Sequence, residues 1–500
     1  MEDTAAHAPK PHLTTGNIVS ILVAGMGSFL FGYCNNAIAG TFAQTSFTSK
    51  FLSGPNAEAI TGGILGGFLS GGFIGSIVQA PISQRFGRRA GTATAAVLTV
   101  LSAALQAGSV NIAMFLAART LCGIGAGIVI TNVPVYMSEI APPHLRGLLV
   151  GNHATSIVYA YILSSVLALG FSFVDHPYAW RLQYVMLAFF GLLLLASLAF
   201  LPESPRWLVE RERYDEAWTV LQQLHQSKGG NDTHLARAEM VQIRAQIAEE
   251  HAQPTGYWHI LKTPNLRYRV YCSVLVWIVG QSTGILVIAN LTPVLFGQLG
   301  YSTLLQLGLS IVWTVVALLG CFVNSLIMDK VGRVRLMVLG GYLCSIVLIV
   351  EAVLQKYFLN TSNTSGINAA VAMYFLFIFF YGSTIDCAAY VYISEIWPTH
   401  HRSRGSTIGL ASFFLTSIAY TSPATKAFAT IGWRYYFVMA AVCLVSSTVM
   451  MFVLPETAQL TLEEIAEKFG ETVVVRLGEA SEKGDALVVD HTEVAEARAV

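Results

Sequence analysis

Four polar features interrupt otherwise apolar sequence. Asp386 lies in "VAMYFLFIFFYGSTIDCAAYVYI", residues 371–393, and reads as the one carboxylate well inside a hydrophobic span. Ionisable groups in hydrocarbon are costly and by default functional. A carboxylate there can exchange a proton, or hold a hydroxyl or cationic group of a small molecule. "FGYCNNAIAG", residues 31–40, ends an apolar run with Cys34, Asn35 and Asn36 side by side. Arg119 opens "RTLCGIGAG", and Gln281 in "GQSTGI" is followed by Asn290. His153, Tyr390 and Ser412 are further polar side chains within apolar stretches. No metal-ligand cluster, nucleophile elbow or phosphate loop accompanies them, so an enzyme reading has no support and no cofactor or metal is expected. "CGIGAGI" has the letters of a dinucleotide turn but no strand before it. Its small residues, like those of "GGILGGFLSGGFIGS", suit close helix packing.

The elements that position these groups follow from composition. Hydrophobic residues make up 54% of the 500 and charged residues only 12%, which excludes an ordinary soluble domain. Twenty-nine basic residues balance 29 acidic ones, so bulk charge gives no support for nucleic-acid binding. The seven cysteines fall in or beside apolar stretches rather than in paired, exposed spacings, which argues against a disulfide framework. Roughly 20 apolar residues cross a bilayer core of about 30 Å. Twelve such windows occur: 17–40, 60–82, 91–110, 113–140, 149–172, 180–201, 269–298, 303–327, 334–356, 368–397, 406–428 and 433–454.

These windows predict an all-α membrane protein. Residues 1–16 form a disordered cytoplasmic N-terminus and 17–201 a six-helix bundle. Next come a cytoplasmic helical linker at 202–268, a second six-helix bundle at 269–454 and a cytoplasmic tail at 455–500. Basic residues concentrate in alternate loops, which places both termini inside a multi-pass protein. Asn360 and Asn363 form sequons in a predicted outer loop and suit glycosylation.

An internal repeat narrows the plan further. "QRFGRR" from Gln84 answers "DKVGRV" from Asp329, "YMSEIAPPHLRG" from Tyr136 answers "YISEIWPTHHRS" from Tyr392, and "LPESP" from Leu201 answers "LPETA" from Leu454, at offsets of 245, 256 and 253. Charged motifs recurring in register mean two related six-helix halves, a plan in which the binding site lies between halves near the midplane.

With "RTLCGIGAG", "PESPRWL" and "GQSTGI", these motifs resemble the sugar porter family of the major facilitator superfamily over nearly the whole length. The resemblance is nearest to fungal members, and a plasma-membrane address is inferred by analogy. It implies alternating access: two bundles rock around a central site for a sugar, polyol or related metabolite, in a monomer embedded in the lipid bilayer. It also implies a cytoplasmic gate built from Arg85, Arg88, Glu139, Arg146, Asp329, Arg333, Glu395 and Arg402, expected to pair across the halves. One gate position departs from the family pattern, with Gln84 standing where the family has Asp.

The central site departs more. The family's sugar-reading amides fall on Ala154, Gly280, Leu286, Ala317 and Ser412, its helix-ten Trp falls on Tyr390, and only Gln281 survives. Each buried hydroxyl left unpaired costs about 1–3 kcal/mol, so substitutes are needed. Gln281, Asn290, Tyr390, Asp386, His153 and Ser412 are the substrate-binding candidates, whereas Thr283, Thr314 and Asn324 read as interhelical hydrogen bonders. The substrate is then a sugar read by a different set, or a non-sugar such as a quinate-like acid or secondary metabolite.

Coupling turns on position 34. Proton-coupled members carry an Asp there that communicates with the helix-four Arg, here Arg119; facilitative members carry a neutral residue. Cys34 therefore favours facilitated diffusion, with Arg119 turning to carbonyls, to the amides of Asn35 or Asn36, or to water. Proton symport through Asp386 is the alternative, which would add protons as a partner. A non-transporting nutrient sensor is disfavoured by the short tail.

Overall fold

The computed structural model describes residues 15–140, 146–224, 256–359, 363–398, 401–460 and 462–470, with Thr361 and scattered positions between 226 and 247. Side chains are described from Leu22 onward and, after the gap at 141, from His153. Ten helices among these residues are long and apolar enough to cross a membrane. In chain order with α1 (Thr15–Ala43) they are α2 (Ala57–Phe86), α3 (Arg88–Ala107), α4 (Ile112–Ile140), α5 (His153–Ser172), α6 (Arg181–Phe200), α7 (Pro264–Gln298), α8 (Thr303–Val331), α9 (Arg333–Phe358) and α10 (Thr364–Ile396). The helix α11 (Arg402–Thr421) precedes α12 (Arg434–Val453). Adding α1 and α11 to the ten gives the twelve spans expected from hydropathy. The expected span 406–428 is shorter than foreseen: the chain breaks at Ser422 and Pro423, and Ala424–Ile431 forms a separate helix.

Small residues set the tightest packing. A Cβ on Gly71 would sit 2.1 Å from the Thr120 carbonyl oxygen, and one on Gly123 would sit 2.0 Å from that of Phe68. The helices α2 and α4 thus meet backbone to backbone, which only glycine permits.

Two spans are broken where the site lies. In α7 the helix stops at Ser282 and restarts at Ile285, with Gly284 at φ +76 and Thr283 Oγ1 donating to the Gly280 carbonyl at 2.7 Å. In α10 the segment Gly382–Asp386 winds as a π-helix, a local widening that recurs at functional sites.

The halves meet through α2 with α11, α5 with α8, and α1 with α7. Two hydrogen bonds join them at the end opposite the charged motifs: Thr425 Oγ1 donates to the Glu58 carbonyl at 2.8 Å and Ser422 Oγ to that of Gly62 at 3.4 Å. That end is closed.

Candidate functional site

At the motif end, each half builds the same device from its repeated sequence. Gly87 at φ +99 ends α2 and starts α3, and Gly332 at φ +106 does the same between α8 and α9. The exposed N–H groups of α3 are capped by the Glu203 carboxylate, which accepts from Arg88 N at 2.8 Å and Arg89 N at 3.2 Å. Glu456 caps α9 in the same way, accepting from Arg333 N at 2.8 Å and Val334 N at 3.1 Å. A carboxylate at a helix N-terminus also offsets the dipole. Burial pushes the Glu203 carboxyl above the usual carboxylate range, while these N–H donors pull the other way. Tyr136 donates to the Pro202 carbonyl, and Tyr392 to that of Pro455 at 3.2 Å.

Arg88 and Arg333 each form their ion pairs within their own half rather than across the halves as expected. Arg88 grips Glu139 in a fork, with Nε and a terminal nitrogen each 2.7 Å from an oxygen. Arg333 divides itself between Glu395 at 3.0 Å and Asp329 at 2.7 Å. The difference follows from position 84: with Gln in place of Asp, Arg88 has no second carboxylate and gives its whole fork to Glu139. Gln84 instead contributes its carbonyl, which accepts from Trp207 Nε1 at 2.9 Å and from Arg211 at 2.8 Å. Arg85 lies over the Phe86 ring, 5.4 Å from its centroid. Arg402 is half-buried, and the side chain of Arg146 lies outside the described residues. Asn360 also lies outside them, and Asn363 Oδ1 caps α10 by accepting from Gly366 N at 3.1 Å.

Around position 34 the guanidinium of Arg119 is wholly buried. It donates to the Cys34 carbonyl at 2.7 Å and the Asn35 carbonyl at 3.5 Å, and stacks 4.2 Å from the Phe68 centroid. Of the partners expected for Arg119, the carbonyls are the ones it uses; the amides of Asn35 and Asn36 are spent elsewhere. Asn35 Nδ2 donates to the Tyr161 hydroxyl at 3.0 Å, and Asn36 Nδ2 to Ser165 Oγ at 3.0 Å. They tie α1 to α5.

Between the halves, rings from four helices adjoin: His153 and Tyr390 at 5.7 Å between centroids, Tyr390 and Trp277 at 5.0 Å, Trp277 and Phe413 at 5.0 Å. His153 Nδ1 bonds Ser28 Oγ at 2.7 Å, and Gln281 Oε1 accepts from Ser417 at 3.1 Å. Three buried atoms here have no partner among the described residues: His153 Nε2, Gln281 Nε2 and Trp277 Nε1. Asp386 is partly accessible, and its Oδ2 accepts only a weak thiol bond from Cys321 at 3.4 Å. Two candidates turn inward on their own helices, Asn290 to the Leu286 carbonyl at 2.8 Å and Ser412 to that of Ile408 at 2.9 Å. Thr283 and Thr314 likewise bond their own backbone rather than another helix. Toward the closed end, a cleft of about 10 Å³ lined by Asn36, Ser165, Thr292 and Trp313 has room for about one water.

The family profile described as "Sugar (and other) transporter" matches residues 20–469. The chain belongs to that family. Among its relatives, the MFS-type transporter criB of Aspergillus cristatus is 32% identical over 89% of this chain and 91% of its own length. A high-affinity glucose transporter of Kluyveromyces lactis is 26% identical over 93% and 86%, and the myo-inositol transporter FST1 of Gibberella moniliformis 28% over 77% and 68%. The proton:xylose symporter XylE bound to 6-bromo-6-deoxy-D-glucose superposes with a TM-score of 0.75 at 24% identity, covering 90% of this chain and 98% of XylE, which establishes the major facilitator fold. The protein is a membrane transporter, not an enzyme.

Two features of this sugar-transporter-family member escape a reading of its sequence. Glu203 and Glu456 sit inside the repeated "LPE" motif, yet their capping role shows only once α3 and α9 are in place. Glu351 overturns the reading of Asp386 as the one carboxylate inside a span. It is 1% exposed in α9, where Gln355 Nε2 donates to it at 2.8 Å and also reaches Tyr374 and Tyr436.

Proposed function

We propose that the protein moves a sugar or sugar-like small molecule across the plasma membrane by alternating access, as a facilitative carrier. It acts as a monomer with both termini and the charged-motif end in the cytoplasm. The carrying observation is the environment of Arg119. A buried cation whose terminal nitrogens donate to the Cys34 and Asn35 carbonyls has, among the described residues, no carboxylate partner to protonate and release. The usual means of coupling a proton to helix one is missing. Glucose and inositol carriers among the relatives support a small hydroxylated solute, and the thinned set of amides favours one with fewer hydroxyls to satisfy. In this orientation the structure is closed outside, and the carboxylate-capped α3 and α9 brace the inner gate.

The test is counterflow with purified protein in liposomes, using a panel of hexoses, pentoses, polyols and acids. Trans-stimulated, saturable exchange is expected. Binding without exchange would make the protein a sensor.

One observation favours a second reading, proton symport. Asp386 is partly accessible from between the halves and has no cationic partner among the described residues. Normal transport by Asp386→Asn at every pH would remove that reading.

A further inference from the structure

The carbonyl-bound Arg119 leaves one charge in the middle of the molecule unexplained, and that charge is Asp386. It sits at the end of the π-helical turn of α10, which packs against α8 and α9. From α8 it receives only the Cys321 thiol, a weak donor. From α5, across the boundary between the halves, Tyr161 stands within electrostatic reach, as do Tyr381, Cys387 and Tyr390 on its own helix. No Lys, Arg or His side chain comes within ion-pair distance of it among the described residues. On the far side of Tyr390, His153 is occupied with Ser28 on one ring nitrogen.

A carboxylate without a cationic partner, with tyrosines of two helices within electrostatic reach, is an arrangement that can recognise a positively charged nitrogen. The carboxylate supplies the counter-charge and the ring faces supply cation–π attraction. Asp386 is partly accessible and bonded only by a thiol, so its carboxylate is free to serve as the counter-charge of a ligand cation. The hydroxyl-reading amides that a neutral polyol requires are reduced here to one, Gln281, with its oxygen already used by Ser417. The chamber is thus equipped for one cationic contact and broad ring surface rather than for many hydroxyls.

We infer that Asp386 binds a protonated amine on the substrate, with Tyr161, Tyr381 and Tyr390 as the surrounding ring wall, so that the carried molecule is a small ring compound bearing a cationic nitrogen. This rests on the carrier reading above. A hydroxyl-poor amino sugar satisfies both, because it keeps a sugar-like ring, adds the charge and leaves few hydroxyls to pair.

The experiment compares matched pairs in counterflow, with the membrane potential clamped at zero: labelled glucosamine against glucose, and tryptamine against its neutral alcohol analogue tryptophol. The amine of at least one pair should exchange about 10-fold faster than its neutral partner, a difference of one decade in affinity. That preference should vanish in Asp386→Asn, survive in Asp386→Glu, and disappear at a pH where the amine is neutral. Monodisperse elution of both variants keeps misfolding separate from loss of recognition. Equal exchange within both pairs overturns the inference and leaves the carrier standing. So does equal slowing of amine and neutral probe by Asp386→Asn, which assigns the residue to proton coupling. No trans-stimulated exchange of any of the four overturns the inference, and the same result over the wider sugar panel overturns the carrier reading with it.

Discussion

The charged-motif end and the central chamber obey opposite rules. At the motif end the two halves repeat one construction, with a glycine at positive φ, a capping glutamate, and an arginine held by a glutamate one residue before the end of its helix. The carboxylates and helix N-terminal N–H groups there have partners, although Arg333 bonds through one terminal nitrogen and leaves Nε and the other without one among the described residues. In the chamber the halves have diverged. Four rings from α5, α7, α10 and α11 adjoin one another, Asp386 lies one turn from Tyr390 with only the Cys321 thiol bonded to it, and three buried polar atoms have no partner among the described residues. A gate must close the same way in each half and therefore keeps its symmetry, whereas a site for an asymmetric ligand has no reason to. The unpaired atoms mark where the ligand belongs.

The contrast can be broken most forcefully at Arg88. The Arg88–Glu139 fork is only 9% and 10% exposed on its two side chains, and removing one partner of such a buried pair costs about 3–5 kcal/mol. Glu139→Ala should lower the melting temperature of the detergent-solubilised protein strongly, while Asp386→Asn in the chamber should leave it nearly unchanged. Similar losses from both substitutions would erase the distinction between the regions.

Next in size come the glycines at the gate. A Cβ at Gly87 would lie 2.3 Å from Glu203 Oε2, and at Gly332 2.6 Å from Glu456 Oε2. Each sits in backbone space that essentially only glycine occupies, so alanine costs about 1–3 kcal/mol from the backbone alone. Gly87→Ala and Gly332→Ala should destabilise to a similar degree in the same melting assay. A tolerant Gly332 would show that the two halves are not equivalent.

Glu351 sharpens the comparison from outside both regions. Its bonded partners lie in its own bundle, so Glu351→Gln should keep the network, and Glu351→Ala should cost about 1–3 kcal/mol by removing a buried acceptor and the packing around it. Denaturation of the two variants reads this difference, and equal losses would mean that the acid matters as an ion.

The smallest stability effect belongs to Gly280. A Cβ there meets nothing closer than 3.7 Å, so its absence is not demanded by packing. Gly280→Ala should change stability by no more than about 0.5–1 kcal/mol, and toward stabilisation. Selectivity within the transport panel should shift nonetheless.

The same contrast explains what could be read from the sequence. The gate was legible because repetition announces itself: Glu139 and Glu395, or Gly87 and Gly332, identify each other as equivalents before any coordinates exist. The pairing within halves was not legible, since nothing in the letters says which glutamate an arginine reaches. Twelve spans were visible from hydropathy, but the break at Ser422–Pro423 was hidden by the apolar helix after it. In the chamber, the π-turn leaves no trace in composition. Asn290 and Ser412 were attractive as polar letters, yet each has a carbonyl four residues back that satisfies it locally. Glu351 lies in plain sight within the window 334–356, and only its partners were hidden, because Tyr374 and Tyr436 are distant in sequence and meet it only after α9, α10 and α12 pack.

The most direct test of the account is transport into proteoliposomes that carry a pH gradient but no membrane potential, with protein-free liposomes as the blank. One pH unit supplies about 1.4 kcal/mol per proton, enough for about tenfold accumulation by a one-proton symporter. A facilitative carrier with its Arg119 bound to carbonyls is predicted to bring the substrate to equal concentrations inside and out, at a rate the gradient does not change. Accumulation that follows the pH gradient and is lost in Asp386→Asn would contradict it.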